Sequence, residues 1–428
     1  MKQTIILLTL FLFLCNHGSA QEKLSLTLGQ AQEYALDHNR TLKNASLDIQ
    51  KAEASRWSTL STMLPQVNGA VDYANMMGYK LTMMGFDIAM PPYATFSLTT
   101  SISLSAAQVI GVQMQNIAAK MSDITLKQTE QQVSNQVKTL YFSALVMEET
   151  TVLLDSNLAN MKKLLAHTEN SVRVGILNQT DADQLAVQIV TVENTINSVK
   201  RSLEMIYNAL RLQLGISVDT EIELTQQIDE LVNVEKATSL LGVQFSSENN
   251  FNYQLLKSSV DLSKAQVNMK KWAYAPSLTA YHSYTKKEYF SDEPTMNMTP
   301  PNIIGLSLKV PIFSSASRYA SLKAAQIDYE KQMNTLADAG EGLVIQHRQL
   351  CFNLSSALET YETQKKNIEV NQRIFEDISR KFENGMASSL EVTTAGSGLI
   401  TAQSNYVQTL LNLVSAQIAL EELLQNGN

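Results

Sequence analysis

Proline is absent from residues 112–275 and again from 312–428. All eight prolines fall outside those runs: Pro65, Pro91, Pro92, Pro276, Pro294, Pro300, Pro301 and Pro311. A domain of short elements would scatter proline through its turns, so this distribution predicts long helices interrupted twice. The apolar spacing agrees. Val133, Val137, Leu140, Ala144, Met147, Thr151, Leu154, Leu158, Met161, Leu165, Thr168 and Val172 advance by alternating fours and threes. That is a heptad seam, and helices carrying one wind into a left-handed coiled coil. After Gly175 the rhythm resumes from Leu185 through Ile189, Val192, Ile196, Val199, Leu203 and Ile206 to Leu210. The pattern predicts an antiparallel helical hairpin with its tip near Val174–Asp181, and Asp181 and Asp183 stand where carboxylates suit the positive end of the returning helix.

A second hairpin follows the same plan. One helix is expected from about Ser315 to Phe382, with Leu350, Leu354, Ala357, Tyr361, Ile368, Phe375, Ile378 and Phe382 on its seam. Asn384-Gly385 makes the turn, and Val392, Ala395, Leu399, Ala402, Tyr406, Leu410, Leu413, Leu420 and Leu424 line the return. A helix of some 65 residues would span on the order of 100 Å, too long for an ordinary globular core. Gly340 and Gly342 interrupt it, and Gly396 and Gly398 interrupt the return, as candidate bend points, unless a long coiled coil simply tolerates them.

In the proline windows the period drops to two. Phe96, Leu98, Ile102 and Leu104 alternate with Thr95, Ser97, Thr99, Ser101 and Ser103, and Val67, Val71 and Tyr73 alternate with Gln66, Asn68 and Asp72. Ile304, Leu306, Leu308, Val310 and Ile312 alternate with Gly305, Ser307 and Lys309, while Ser277–Thr285 gives the weakest strand. Runs near ten residues with one apolar and one polar face suit tilted membrane β-strands, although a half-buried soluble sheet alternates in the same way. The links Met76–Pro92 and Lys286–Pro301 read as outer loops. Four strands do not close a barrel, so membrane strands here require oligomerisation to remove their edges.

The two halves repeat each other. Leu64-Pro65 recurs as Ala275-Pro276, Ala118-Ala119 as Ala324-Ala325, Leu140-Tyr141-Phe142 as Leu350-Cys351-Phe352, and Val174-Gly175 as Asn384-Gly385. The organisation expected is a signal peptide at 1–20, a first repeat at 21–215, a linker at 216–250 and a second repeat at 251–428. Strand hairpins lie at about 65–105 and 276–313, and helical hairpins at about 107–214 and 315–425. The signal reading rests on Lys2, the apolar stretch Ile5–Leu14 and small residues Gly18-Ser19-Ala20 before Gln21. Lipidation of Cys15 is the rival reading, weakened by bulky Leu14 directly before it. After cleavage only Cys351 remains, so no intrachain disulfide is expected.

Composition removes several functions. The chain has a net charge of −8 and 17% charged residues against roughly 25% in soluble domains, with no basic stripe for nucleic acid. It carries no HExxH, GxSxG, P-loop or CxxC, and His17, His38, His167, His282 and His347 are far apart. No enzyme activity, cofactor or metal site is expected. Met76, Met77, Met83, Met84, Met90, Met296 and Met298 concentrate in the loops. Thioethers favour Cu(I), but without neighbouring Cys or His they make weak sites, and flexible apolar filling accounts for them better.

Several stretches in order carry a family resemblance. Leu26-Thr27-Leu28-Gly29-Gln30-Ala31, then Asp37-His38-Asn39, Leu64-Pro65, Arg173-Val174-Gly175-Ile176 through Thr180-Asp181, Val310-Pro311-Ile312-Phe313 and Phe382–Val392 resemble the TolC outer-membrane efflux family. The resemblance implies a homotrimer whose twelve strands close one barrel in the outer membrane, continued by a twelve-helix tunnel into the periplasm. It implies an exit duct for a tripartite pump or type I secretion, partnered by outer-membrane lipid, a periplasmic adaptor and an inner-membrane transporter. It assigns adaptor docking to the tips Val174, Gly175, Ile176, Asn384, Gly385 and Met386, and a pore gate to Glu391 with Asp181 and Asp183. The family has a second acidic position where Thr394 stands, and a Tyr and an Arg where this chain has Phe382 and Ala387, so the tip is expected to rest on packing. The alternative is a periplasm-spanning structural coiled coil or adhesin without channel activity, which accounts for the heptads but not for the strand hairpins or the duplication.

Overall fold

The computed structural model describes residues 23–83, 86–231, 233–291, 297 and 299–424. The stretch expected to be a signal peptide, with Cys15, and Met84, Met296 and Met298, lie outside them. Two proline-free stretches fold as long helices, each followed by an antiparallel return. α3 is Ala106–Arg173, 68 residues, and α4 is Gln179–Leu214. α8 is Ser317–Glu383, 67 residues, and α9 is Ser389–Leu424. Before them stand β1 (Lys23–Leu26), α1 (Leu28–His38), α2 (Arg40–Ser61), β2 (Gln66–Ala74), β3 (Lys80–Met83), β4 (Phe86–Ala89) and β5 (Tyr93–Leu104). Between them run β6 (Glu221–Leu224), α5 (Ile228–Leu231), α6 (Val234–Leu240), α7 (Phe251–Trp272), β7 (Ser277–Tyr289) and β8 (Asn302–Lys309).

These elements gather in two units: the described residues up to 45, of 126–251 and from 340 on form one, and those of 46–125 and 252–339 the other. In the first unit the heptad positions are its core. Val137, Leu185, Leu210, Leu354, Leu399, Leu413 and Leu420 are all within 1% of complete burial. Phe375 and Phe382 join Leu164, Leu185, Val392 and Leu399 in one cluster toward the turns. The helical glycines do not break α8 or α9. Gly396 instead admits a close approach: an added Cβ would lie 3.0 Å from Met161 Cε and 3.4 Å from Phe375 Cε2.

Two polar devices sit inside this apolar seam. Asn157 on α3 donates to Gln403 on α9, both of them buried. Lys138 on α3 pairs with the buried Glu421 on α9, whose carboxylate also receives Gln417 Nε2 at 3.0 Å and lies 3.9 Å from Lys236 of α6. Burial works against ionising Glu421, yet the Gln417 and Lys138 hydrogen bonds outweigh it and hold the carboxyl below its usual range.

The short strands at 23–26 and 221–224 have no counterpart in the sequence pattern. β1 and β6 pair in parallel from Lys23↔Glu221 to Leu26↔Leu224, and Tyr141 Oη donates to the Leu26 carbonyl at 3.0 Å. Four residues are too few for alternation to announce a strand.

The second unit carries a four-stranded antiparallel sheet in the order β2-β5-β7-β8. β8 stops at Lys309, short of the alternation that continues through Val310 and Ile312, because Pro311 has no N–H to give the ladder. The link Met76–Pro92, read as an outer loop, contains the small hairpin β3–β4 with Lys80 opposite Ala89. Register sorts the main sheet into two faces. Val67, Val71, Tyr73, Phe96, Leu98, Ile102, Leu104, Leu278, Ile304, Leu306 and Leu308 share one. Gln66, Asn68, Asp72, Thr95, Ser97, Thr99, Ser101, Ser103, Thr279, Ser283 and Thr285 share the other. The apolar face is left open by this chain: Val71 is 73% and Ile304 85% exposed.

Candidate docking tips and gate

Both helical hairpins turn by the same hydrogen bonds. At the end of α3, Gly175 N–H donates to the Val172 carbonyl and Ile176 N–H to that of Ser171, each at 2.9 Å. At the end of α8, Gly385 N–H reaches Phe382 at 2.9 Å and Met386 N–H reaches Lys381 at 2.8 Å. This is the Schellman ending, in which the residue after the helix takes a left-handed conformation. Gly175 has φ 79° and Gly385 φ 73°, and neither has any atom within 4 Å of where a Cβ would stand. The turns therefore present backbone to open space. Their apolar neighbours stand out with them, Val174 at 70%, Ile176 at 75% and Met386 at 71% exposure. Asn384 is exposed as well and donates its side-chain amide to the Arg380 carbonyl.

The returning helices begin alike. Asn178 caps α4, and its N–H donates to Asp181 Oδ2 at 3.0 Å. Ser388 stands in the same place before α9: its N–H and hydroxyl donate to Glu391 Oε2 at 2.7 and 2.9 Å, and Glu391 N–H donates back to Ser388 Oγ at 3.3 Å. These reciprocal bonds form a capping box. The Ser388 N–H, with its hydroxyl second, holds the Glu391 carboxyl below the usual range. Glu391 is fully exposed at the helix start, so one oxygen caps α9 while its charge faces water. Asp183, also exposed, accepts Gln179 Nε2 at 2.9 Å.

Asp181 does more than cap. Its second oxygen accepts a hydrogen bond from Ser389 Oγ of the other hairpin, and Ser389 is only 3% exposed. Two turns further on, Gln188 Nε2 donates to Ser397 Oγ at 3.2 Å across the same pair of helices. The tips are thus tied by a polar bond, which corrects the expectation that they rest on packing alone. A serine supplies the donor. Phe382 packs in the apolar cluster, 3% exposed, with the His167 ring edge-on at 6.3 Å. Ser389 escaped sequence reading because it follows Ser388, and a serine doublet at a helix start signals only one cap.

Paired helical hairpins, duplicated in one chain together with a sheet that has one apolar face, are the parts of a duct that leaves the periplasm through the outer membrane. The chain belongs to the outer membrane efflux protein family, whose model matches residues 32–216 and 243–426. It is 22% identical over 415 residues to outer membrane protein TolC of Escherichia coli (strain K12), covering 92% of this chain and 83% of that one. Among solved structures it superposes on the outer membrane protein VceC of Vibrio cholerae with a TM-score of 0.76 at 14% identity, covering 94% of this chain and 96% of that one. The Campylobacter jejuni CmeC outer membrane channel gives 0.77 at 14% identity, covering 94% and 86%. The protein is an efflux channel of the outer membrane that extends into the periplasm, and the relatives it resembles are channels rather than enzymes.

Proposed function

We propose that three copies of this chain form a closed exit duct, with twelve strands in the outer membrane and twelve helices below it. The observation that carries this is the sheet itself. Its two edge strands, β2 and β8, each have one unpaired side among the described residues, and one face is mainly apolar and open, with Thr100, His282, Lys286, Glu288 and Asn302 as its polar members. An open sheet edge is not tolerated in lipid, where each unpaired backbone group costs several kcal/mol. Joining β8 of one copy to β2 of the next three times removes every edge, turns the apolar face to lipid and encloses the hydroxyl-rich face around water.

In this reading the hairpin tips are the periplasmic end. Val174, Gly175 and Ile176 with Asn384, Gly385 and Met386 receive a periplasmic adaptor, which joins the duct to an inner-membrane transporter of a tripartite pump or type I secretion system. Exposed apolar side chains beside an uncovered glycine backbone support that role. Glu391, with Asp181 and Asp183, would place carboxylates around the threefold axis as the gate. The capping bonds of Glu391 leave its charge available but give it a structural duty as well. Chemical crosslinking of the full chain purified in detergent tests the assembly: a trimer is expected, and monomers alone would overturn the reading.

A further inference from the structure

One group on the water-facing side of the sheet is unlike its surroundings. Most other side chains on that face are hydroxyls and amides, with Ala70, Tyr281, Ile303, Asp72 and Lys309 among the exceptions. At the loop end of β7, however, Lys287 Nζ lies 3.6 Å from the centre of the Tyr93 ring and 4.8 Å from that of Tyr289. The two rings meet edge-to-face at 5.8 Å. Register puts all three on the polar face: Tyr93 is opposite Tyr289, and Lys287 is opposite Thr95, itself opposite Asp72. An ammonium within about 6 Å of an aromatic face is attracted by the ring's negative quadrupole. Lys287 forms no ion pair among the described residues, so the rings fix where it sits without neutralising it.

We propose that Tyr93, Lys287 and Tyr289 form an anion-attracting collar inside the outer mouth of the duct, which favours passage of small anionic solutes. This rests on the trimeric reading above, which repeats the group three times around one axis. The charges that share the polar face of the four strands are Asp72, Lys287 and Lys309, two cations against one carboxylate in each chain. Lys309 pairs with Ser277 at the opposite end of β7, so only Asp72 and Lys287 share the outer end. Asp72 is exposed and separated from Lys287 by the intervening strand, whereas Lys287 is half-buried between its rings. Of the two, Lys287 is the charge held in the wall by its rings; charges set in a narrow, low-dielectric wall focus the field on passing ions, and Lys rings select anions in pores. Two phenol rings per chain narrow the same level and offer flat apolar contact, which suits organic anions such as aromatic carboxylates. Lys286 and Glu288 lie on the other face of β7 and cancel one another there.

The test is the reversal potential of the full-length channel in a planar bilayer under a potassium chloride gradient. Lys287→Gln is expected to shift it toward the potassium equilibrium value, while Lys286→Gln leaves it unchanged. Lys287→Cys in a Cys351→Ser background guards against a folding defect: a trimethylammonium-bearing thiol reagent should restore the wild-type reversal potential by returning the charge. An unchanged potential in Lys287→Gln, or no response of the cysteine variant to the reagent, would overturn the collar. A wild-type protein that inserts but never conducts would instead defeat the duct reading on which the collar stands.

Discussion

Asn157 Nδ2 lies 2.5 Å from Gln403 Oε1, joining the first helix of one hairpin to the second helix of the other through a mainly apolar seam. Removing one partner leaves the other amide buried without a bond, at a cost of about 1–3 kcal/mol. Asn157→Ala should therefore lower unfolding stability in detergent by about that amount. Asn157→Leu combined with Gln403→Leu should recover most of the loss, as a double-mutant cycle by chemical denaturation would show. A polar pair at one level of a coiled coil also fixes register.

The Ser389–Asp181 bond predicts a looser tip when it is cut. Ser389→Ala removes the tie but leaves Asp181 its capping bond from Asn178. Higher single-channel conductance is expected, with a stability loss of about 1 kcal/mol. Conductance equal to the wild type would show that the bond does not restrain the mouth.

Gly175 separates a conformational requirement from a docking one. Asparagine tolerates the left-handed region far better than other side chains, so Gly175→Asn should retain efflux. Gly175→Trp places an indole in the open space beside Val174 and Ile176, and should abolish efflux while the trimer still assembles. Drug susceptibility beside a crosslinked-trimer gel reads both outcomes.

Glu391→Gln tests charge apart from capping, because glutamine also serves at the third position of a capping box. The reversal potential should shift toward the chloride equilibrium value, opposite to the shift expected for Lys287→Gln, and block by multivalent cations should weaken in planar bilayers, with the trimer intact. The Ser388 bonds depress the carboxyl, so its contribution to the reversal potential should persist to more acidic pH than a free glutamate would allow, and then fade as pH drops through that lowered value.

Glu421 makes the acid limb of stability measurable. Its folded-state carboxyl is held below the usual range, so its contribution is present above the ordinary glutamate pKa and is lost as pH falls through the depressed one. Wild-type Tm should fall over that acidic window. Glu421→Gln should be less stable at neutral pH, since it leaves Lys138 without its carboxylate, and should show a flatter acid limb.

Long-period features were legible in the sequence because they are written many times over. The seam that predicts Leu354, Phe375, Leu399 and Leu413 as buried repeats every three or four residues, and each repetition reinforces the rest. Strand faces were legible for the same reason, since register follows from alternation across Phe96, Leu98, Ile102 and Leu104. Features made by one contact between distant residues were not. Nothing near Lys23 shows that it pairs with Glu221, and nothing near Ser389 points to Asp181. The glycines at 396 and 398 read as bends because a missing side chain looks like weakness locally. In the fold, Gly396 makes room for Met161 and Phe375.

The parallel pairing of β1 with β6 has a bearing on biogenesis. A chain delivered N-terminus first presents Lys23–Leu26 long before Glu221–Leu224 arrives, almost half a polypeptide later. Until then the leading strand has bare amides and the Leu26 carbonyl lacks a neighbouring strand. It must stay extended without finding a wrong mate, and closing so large a loop adds only slowly to the entropic cost. The pairing of β1 therefore waits on the arrival of β6. A holding chaperone that shields Lys23–Leu26 during export would shorten the time in which they can misassociate.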